Sequence, residues 1–233
     1  MYHDVSSERP EGLFVVSEKS FSHQMTHLVK QGYHVVSLDE LVSAHETRQA
    51  LRPKTVVLTF DDGLESHFNV VYPILKRLGL TATFFIVPEF VGEPGYLTWS
   101  EVKELSGHGF TIGSHSLRHR DLSALSSEEC EKDIVSSKKL IEGALNKKIT
   151  LFCYPGGRVN PMVREKVIKA GFRGACAIRP WHRFPSGDLY ALTRVWMTRR
   201  ANHPFVLWLK LNGWDRPWEG SCRPTRSSMG PGI

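Results

Sequence analysis

Two short, widely separated segments carry side chains able to hold an ion and move a proton. The first is Asp61-Asp62-Gly63, which closes the apolar run Thr55–Phe60 (TVVLTF). Successive side chains along a strand point to opposite sides. One carboxylate can therefore take a metal while its neighbour faces bound water. The plainer role for such an Asp is to cap the helix that follows a strand. The second segment is His115-Ser116-Leu117-Arg118-His119, just past the run Phe110–Ser114. Two imidazoles four residues apart reach one side if the segment turns helically. Joined by one carboxylate, they make a three-ligand site for zinc or a similar divalent ion, with a position left for water. Surface His pairs are common, so this segment gains meaning only by sharing a sheet edge with the Asp pair.

The elements that must bring them together can be read in order. An amphipathic helix is expected over about Ser17–Gln31, with Phe21, Met25 and Leu28 on one face and Gly32 as its stop. A short strand, Tyr33–Val36, leads to a segment carrying Leu38, Leu41 and Val42. The strand Thr55–Phe60 follows, and then a helix containing Ile74, Leu75 and Leu78. Strands are read at Thr81–Val87, Phe110–Ser114, Thr150–Tyr154, Ala175–Ile178 and Thr193–Met197. Thr98–Glu101 and Ser126–Glu129 are capping boxes that open helices. Asn160-Pro161 starts another, and a last helix runs from about Asn202 to Leu211.

Strand and helix alternate about eight times, the pattern of a parallel sheet with crossover helices. The expected fold is α/β, a distorted (β/α) barrel of about seven to eight parallel strands with outer helices. An open doubly wound sheet is the alternative. Active sites in such folds sit at the carboxyl ends of the strands, where both segments fall.

The 233 residues, 41 % of them hydrophobic, suit one domain over 1–216. The stretch 217–233 is rich in Pro, Ser, Gly and Arg and reads as a disordered tail. A net charge of +6 is mild, and no basic block interleaves with aromatics, so nucleic acid is not an expected partner. Cys130, Cys153, Cys176 and Cys222 form no CxxC pair, which argues against a zinc ribbon or disulfide scaffold. They are expected to fill apolar space. No run is long and apolar enough to cross a bilayer. Tyr2-His3-Asp4 directly after Met1 is no secretory leader. The sequence as written reads as cytoplasmic, and as extracytoplasmic if residues precede Met1.

TFDDG, then HSLRH, then a strand ending in FCYPGG resembles the polysaccharide deacetylase (NodB-homology) family, the fourth family of carbohydrate esterases. The resemblance spans roughly residues 1–211. It implies a distorted barrel that removes N-acetyl groups from amino sugars with zinc or another divalent cation, acting on an N-acetylated polysaccharide or oligosaccharide. It makes Asp61 the catalytic base and Asp62, His115 and His119 the metal ligands. The family's RxPxG motif is imperfect here. Pro155 and Gly157 match, while Cys153 stands where the family has an arginine that steadies the catalytic Asp. The resemblance implies that the Gly156 N–H helps to hold the oxyanion, with Tyr154 and Pro155 beside the substrate. Arg194, in ALTRV, is the candidate substitute for the missing arginine. The opening MYHDV resembles the circularly permuted poly-N-acetylglucosamine deacetylase branch, as does the stretch from Phe21 to Leu41. That likeness makes His3 the general acid and suggests a first strand cut short at Met1.

Of the remaining histidines, His182 and His203 are fallback acids. His23, His27, His34, His45, His67 and His108 read as helix, strand-start, surface or loop residues. Trp181 could stack on a sugar ring, whereas Trp99 and Trp208 read as core. Rival readings are a deformylase or deacetylase of a lipid-linked sugar, a ring-opening amidase of the same family, and a degenerate sugar-binding homologue without activity.

Overall fold

The computed structural model describes residues 1–8, 14–178, 187–198, 201 and 203–211. Its strands are β1 (Asp4–Val5), β2 (Val15–Val16), β3 (His34–Val36), β4 (Thr55–Val57), β5 (Thr59–Phe60), β6 (Thr83–Ile86), β7 (Thr111–Ser114), β8 (Leu151–Cys153), β9 (Gly174–Ala177) and β10 (Leu192–Thr193). The helices are α1 (Glu18–Lys30), α2 (Leu38–Glu46), α3 (Tyr72–Arg77), α4 (Trp99–Gly107), α5 (Ser127–Leu145), α6 (Pro161–Lys169) and α7 (Pro204–Leu211). Six strands form one parallel sheet in the order β10-β9-β8-β7-β6-β5, while β1 pairs with β2 and β3 with β4, also in parallel.

The strand read as Thr55–Phe60 is divided at Leu58 because its neighbour changes there. The His34 N–H donates to the Lys54 carbonyl and the Thr83 N–H to the Leu58 carbonyl. Carbonyls an even number of residues apart face the same edge, so β3 and β6 take that edge in succession. The other edge belongs to Tyr2, whose N–H donates to Thr59 O and whose carbonyl accepts from the Asp61 N–H. Met1 in turn bonds Val195 and Met197. The Met1-Tyr2 backbone thus bridges β5 and the chain after β10, and curls the sheet into a distorted barrel.

Alternation along the strands divides the core. Phe84, Ile86 and Phe152 face the outer helices, where they meet Leu105, Phe110 and Ile141. Phe85, Leu151, Cys153 and Cys176 face inward, where Leu38 and Val42 of α2 pack on them. A Cβ at Gly113 of β7 would lie 2.6 Å from the Phe85 ring, so only glycine admits that ring.

Both capping boxes form as read, at Thr98/Glu101 and Ser126/Glu129. Two expectations about burial fail. Trp208 is 47 % exposed on α7 rather than in the core. His67, read as a surface or loop residue, is fully buried in a π-helical turn, His67–Val71, ahead of α3. Trp181, His182 and Cys222 and the stretch 217–233 lie outside the described residues. No helix among the described residues is long and apolar enough to cross a membrane.

Candidate active site

Asp61 and Asp62 leave the end of β5 and diverge as their spacing requires. Asp61 is buried inside the barrel, and Asp62 faces the mouth with a side chain 22 % exposed. The divergence is sharpened at Asp62, which holds φ +76° ahead of Gly63 at +70°. A left-handed backbone is uncommon outside glycine and is tolerated best by Asp, Asn and His.

The segment after β7 brings both imidazoles to Asp62, but not by a helical turn. Ser116 and His119 adopt left-handed φ of +64° and +54°, and the His119 N–H donates to Ser116 Oγ at 2.9 Å. A buried carboxylate on α5, Asp133, braces this bend by accepting from the Leu117 N–H at 2.7 Å. Asp133 escaped the sequence reading. Its only trace there is a charged residue next to Ile134 on the apolar stripe of α5.

His115 Nε2 and His119 Nε2 each lie 3.3 Å from Asp62 Oδ1. A tetrahedral ion with bonds of about 2.0–2.1 Å separates its ligands by about 3.3–3.4 Å, so the spacing fits. Asp62 Oδ1 is also buried without a hydrogen-bond donor, as an oxygen reserved for a cation would be. His115 Nδ1–H donates to the Cys153 carbonyl at 2.8 Å. That bond fixes the tautomer and leaves Nε2 free to coordinate.

Arg194 reaches into the barrel and grips Asp61 with both arms, Nη1 to Oδ1 at 2.6 Å and Nη2 to Oδ2 at 2.7 Å. Burial alone would raise the Asp61 carboxyl, but the charge and hydrogen bonds of Arg194 outweigh it and hold it well below the usual range. The same Nη2 lies 3.0 Å from Cys153 Sγ. Cys153 therefore does more than fill space: a small side chain on β8 leaves room for a guanidinium arriving from the other side of the barrel.

His3 stands beside this pair, with Nε2 4.0 Å from Asp61 Oδ2. Burial lowers its proton affinity, and the two nearby aspartates oppose that only in part. Phe14 and Trp196 pack on its ring, with centroids 5.0 and 5.6 Å away, and Phe14 is half exposed at the mouth. Neither aromatic was singled out from the sequence. Their meeting depends on the Met1-Tyr2 bridge, which places His3 next to the chain after β10.

Beyond β8, the turn Pro155–Gly157 is held by the Gly157 N–H on Tyr154 O and the Arg158 N–H on Pro155 O. The Gly156 N–H stands outside both bonds. A Cβ on Gly157 would come within 2.4 Å of Ile178. The expected substrate contacts of Tyr154 and Pro155 do not suit their side chains. Both are buried, and the Tyr154 hydroxyl donates to Tyr190 O. His203 is exposed at the start of α7.

A cavity of about 550 Å³ lies below this mouth, walled largely by aliphatic side chains such as Met25, Leu28, Val57 and Leu207. It is lined by Arg194 and by Thr59, whose hydroxyl accepts from Arg194 Nη1 at 3.2 Å, but by none of the Asp62, His115 and His119 cluster. The chemistry-bearing groups converge at the mouth.

A family model described as polysaccharide deacetylase matches residues 48–175. YxkH of Bacillus subtilis, named for the same family, is 30 % identical over 195 residues, covering 84 % of this chain and 69 % of its own. A poly-β-1,6-N-acetyl-D-glucosamine N-deacetylase of Staphylococcus aureus is 26 % identical, covering 82 % and 70 %. Among solved structures, the Streptococcus pyogenes deacetylase PplD, in complex with acetate, superposes with a TM-score of 0.81. It is 24 % identical and covers 89 % of this chain and 94 % of its own.

Proposed function

The chain belongs to the polysaccharide deacetylase family, and on that premise we propose that it hydrolyses N-acetyl groups of N-acetylglucosamine units in a polysaccharide, releasing acetate and a free amino sugar. Poly-β-1,6-linked N-acetylglucosamine is the preferred candidate polymer. It is the substrate named for the Staphylococcus relative, whose match includes most of this chain. The observation that carries the reading is the convergence of the Asp62, His115 and His119 ligand atoms on one point, beside an Asp61 that Arg194 keeps ionised.

The three residues would hold a divalent ion, with zinc the best match to their nitrogen-rich set. Such an ion supplies a Lewis acid and a bound water acidified toward a pKa of about 7. Asp61, ionised and fixed by two hydrogen bonds, takes a proton from the attacking water. The clamp makes it a weaker base and a better-aimed one. The Gly156 N–H, outside the hydrogen bonds of its turn, is the donor assigned to the developing oxyanion. His3 gives its proton to the departing nitrogen. A lowered proton affinity makes it the stronger acid, and the rate is therefore expected to fall as pH rises and His3 loses that proton.

The test is acetate released from β-1,6- and β-1,4-linked N-acetylglucosamine oligomers by protein that has been stripped with chelator and reloaded with zinc. The reading expects turnover only when reloaded, and faster on the β-1,6 oligomer. Carbohydrate binding with no acetate at saturating zinc would make the chain an inactive homologue. Formate released from an N-formyl sugar in place of acetate would favour the deformylase.

A further inference from the structure

His67 serves no purpose yet, although its burial is complete. Its Nε2 lies 2.7 Å from the His3 carbonyl and donates to it. Its ring packs against Phe60 and Phe84 at 5.5 and 5.6 Å. Nδ1 is buried with no partner among the described residues. A buried acceptor left unpaired costs about 1–3 kcal/mol, a penalty that an apolar residue of similar shape would escape. Stability alone does not account for a histidine here.

The neighbouring residue works on the same strand. Ser66 Oγ–H donates to Asp4 Oδ1 at 2.7 Å, and the Val5 N–H approaches Ser66 Oγ at 3.5 Å. Two adjacent residues of the segment that follows Asp61 and Asp62 therefore hold His3, Asp4 and Val5. The His3 imidazole has little else to aim it. Its own Nδ1 finds no partner among the described residues, and its Nε2 reaches Asp61 only at 4.0 Å. Its direction comes from the backbone beneath it and from the aromatic rings beside it.

We propose that His67 is a positioning residue for the general acid: through the His3 carbonyl it fixes the backbone that points the His3 imidazole at the leaving nitrogen. This rests on His3 being the acid, as proposed above. A π-turn is rare and clusters at functional sites. Here it sets a histidine under the strand end rather than out in solvent.

The test compares an amide with an activated ester. Release of 4-nitrophenolate from 4-nitrophenyl acetate needs no acid, whereas release of a sugar amine does. His67→Phe keeps an aromatic ring and removes the donor; His67→Gln restores a donor of similar reach. With zinc content equal to the native protein, His67→Phe is expected to lower kcat on the N-acetylglucosamine oligomer about 10- to 100-fold, the order that a misplacement near 1 Å costs. KM and ester turnover should change less than about twofold. His67→Gln should recover most of the loss. An equal fall on amide and ester, or a Gln variant no better than Phe, would overturn the proposal. If His67→Phe does not fold, His67→Asn, too short to reach the carbonyl, takes its place against His67→Gln. His3→Ala separates the two levels. If it leaves the amide-to-ester ratio unchanged, His3 is not the acid. If it shifts the ratio and the His67 variants do not, only the role of His67 falls.

Discussion

Arg194 and Cys153 meet within the barrel. The guanidinium enters from the chain after β10, over the small Cys153 on β8, and grips both carboxylate oxygens of Asp61. Removing one partner of a buried ion pair leaves an uncompensated charge, at about 3–5 kcal/mol. Arg194→Met is therefore expected to lower both stability and kcat while the zinc content stays at the native level, as metal analysis beside urea melts would register. The pH dependence has a definite sign. The folded Asp61 carboxyl sits below its unfolded value, so the pair stabilises fully above the ordinary carboxylate range. That contribution disappears as pH falls through the folded pKa. The gap in melting temperature between native protein and Asp61→Asn should thus be flat at neutral pH and shrink in strong acid. A gap that widened in acid would contradict the assignment. At this scale the sequence was informative. The Asp pair and the two histidines stood out by type and spacing, because motifs at strand ends are local, whereas Arg194 was reached only through the family resemblance, as a stand-in for the arginine missing at Cys153. Asp133 and His67 did not stand out, since each acts on a segment far away in the chain, and nothing near either residue announces its partner.

The elements differed from expectation where tertiary contact overrode local pattern. The segment 115–119 reads as about one helical turn and instead bends through two left-handed residues, braced by Asp133 from α5. Support of this kind for metal ligands is typically worth about 10- to 100-fold in affinity. Asp133→Leu, which removes the acceptor of the Leu117 N–H, should weaken zinc binding by that order in a competition titration, with the fold intact by circular dichroism. The turn after β8 is equally constrained. Gly157→Ala adds a left-handed penalty to a collision with Ile178, and is expected to cost about 1–3 kcal/mol or more in urea melts. Gly157→Ala with native stability would mean that the turn has room the distances deny. The division of Thr55–Phe60 at Leu58 had no signal of its own, because it arises from a change of neighbour along one edge.

Over the whole molecule, the alternation of strand and helix was enough to anticipate a parallel sheet with crossover helices, with a distorted barrel ahead of an open sheet. What it could not anticipate was the closure, which runs through the Met1-Tyr2 backbone and brings His3 over Asp61. The site thus draws on both ends of the described chain, with residues 3, 61–62, 115–119, 153 and 194 meeting at one mouth. An ion held by three of them stabilises the folded state by mass action. Melting temperature should rise with zinc concentration in the native protein and not in His119→Ala. The most direct test of the account is zinc content and acetate release measured together on Asp61→Asn reloaded with zinc. The prediction is one ion per chain and no acetate above background. Acetate at the native rate, or loss of the ion along with the activity, would show that Asp61 is not the base beside an ion held by Asp62, His115 and His119.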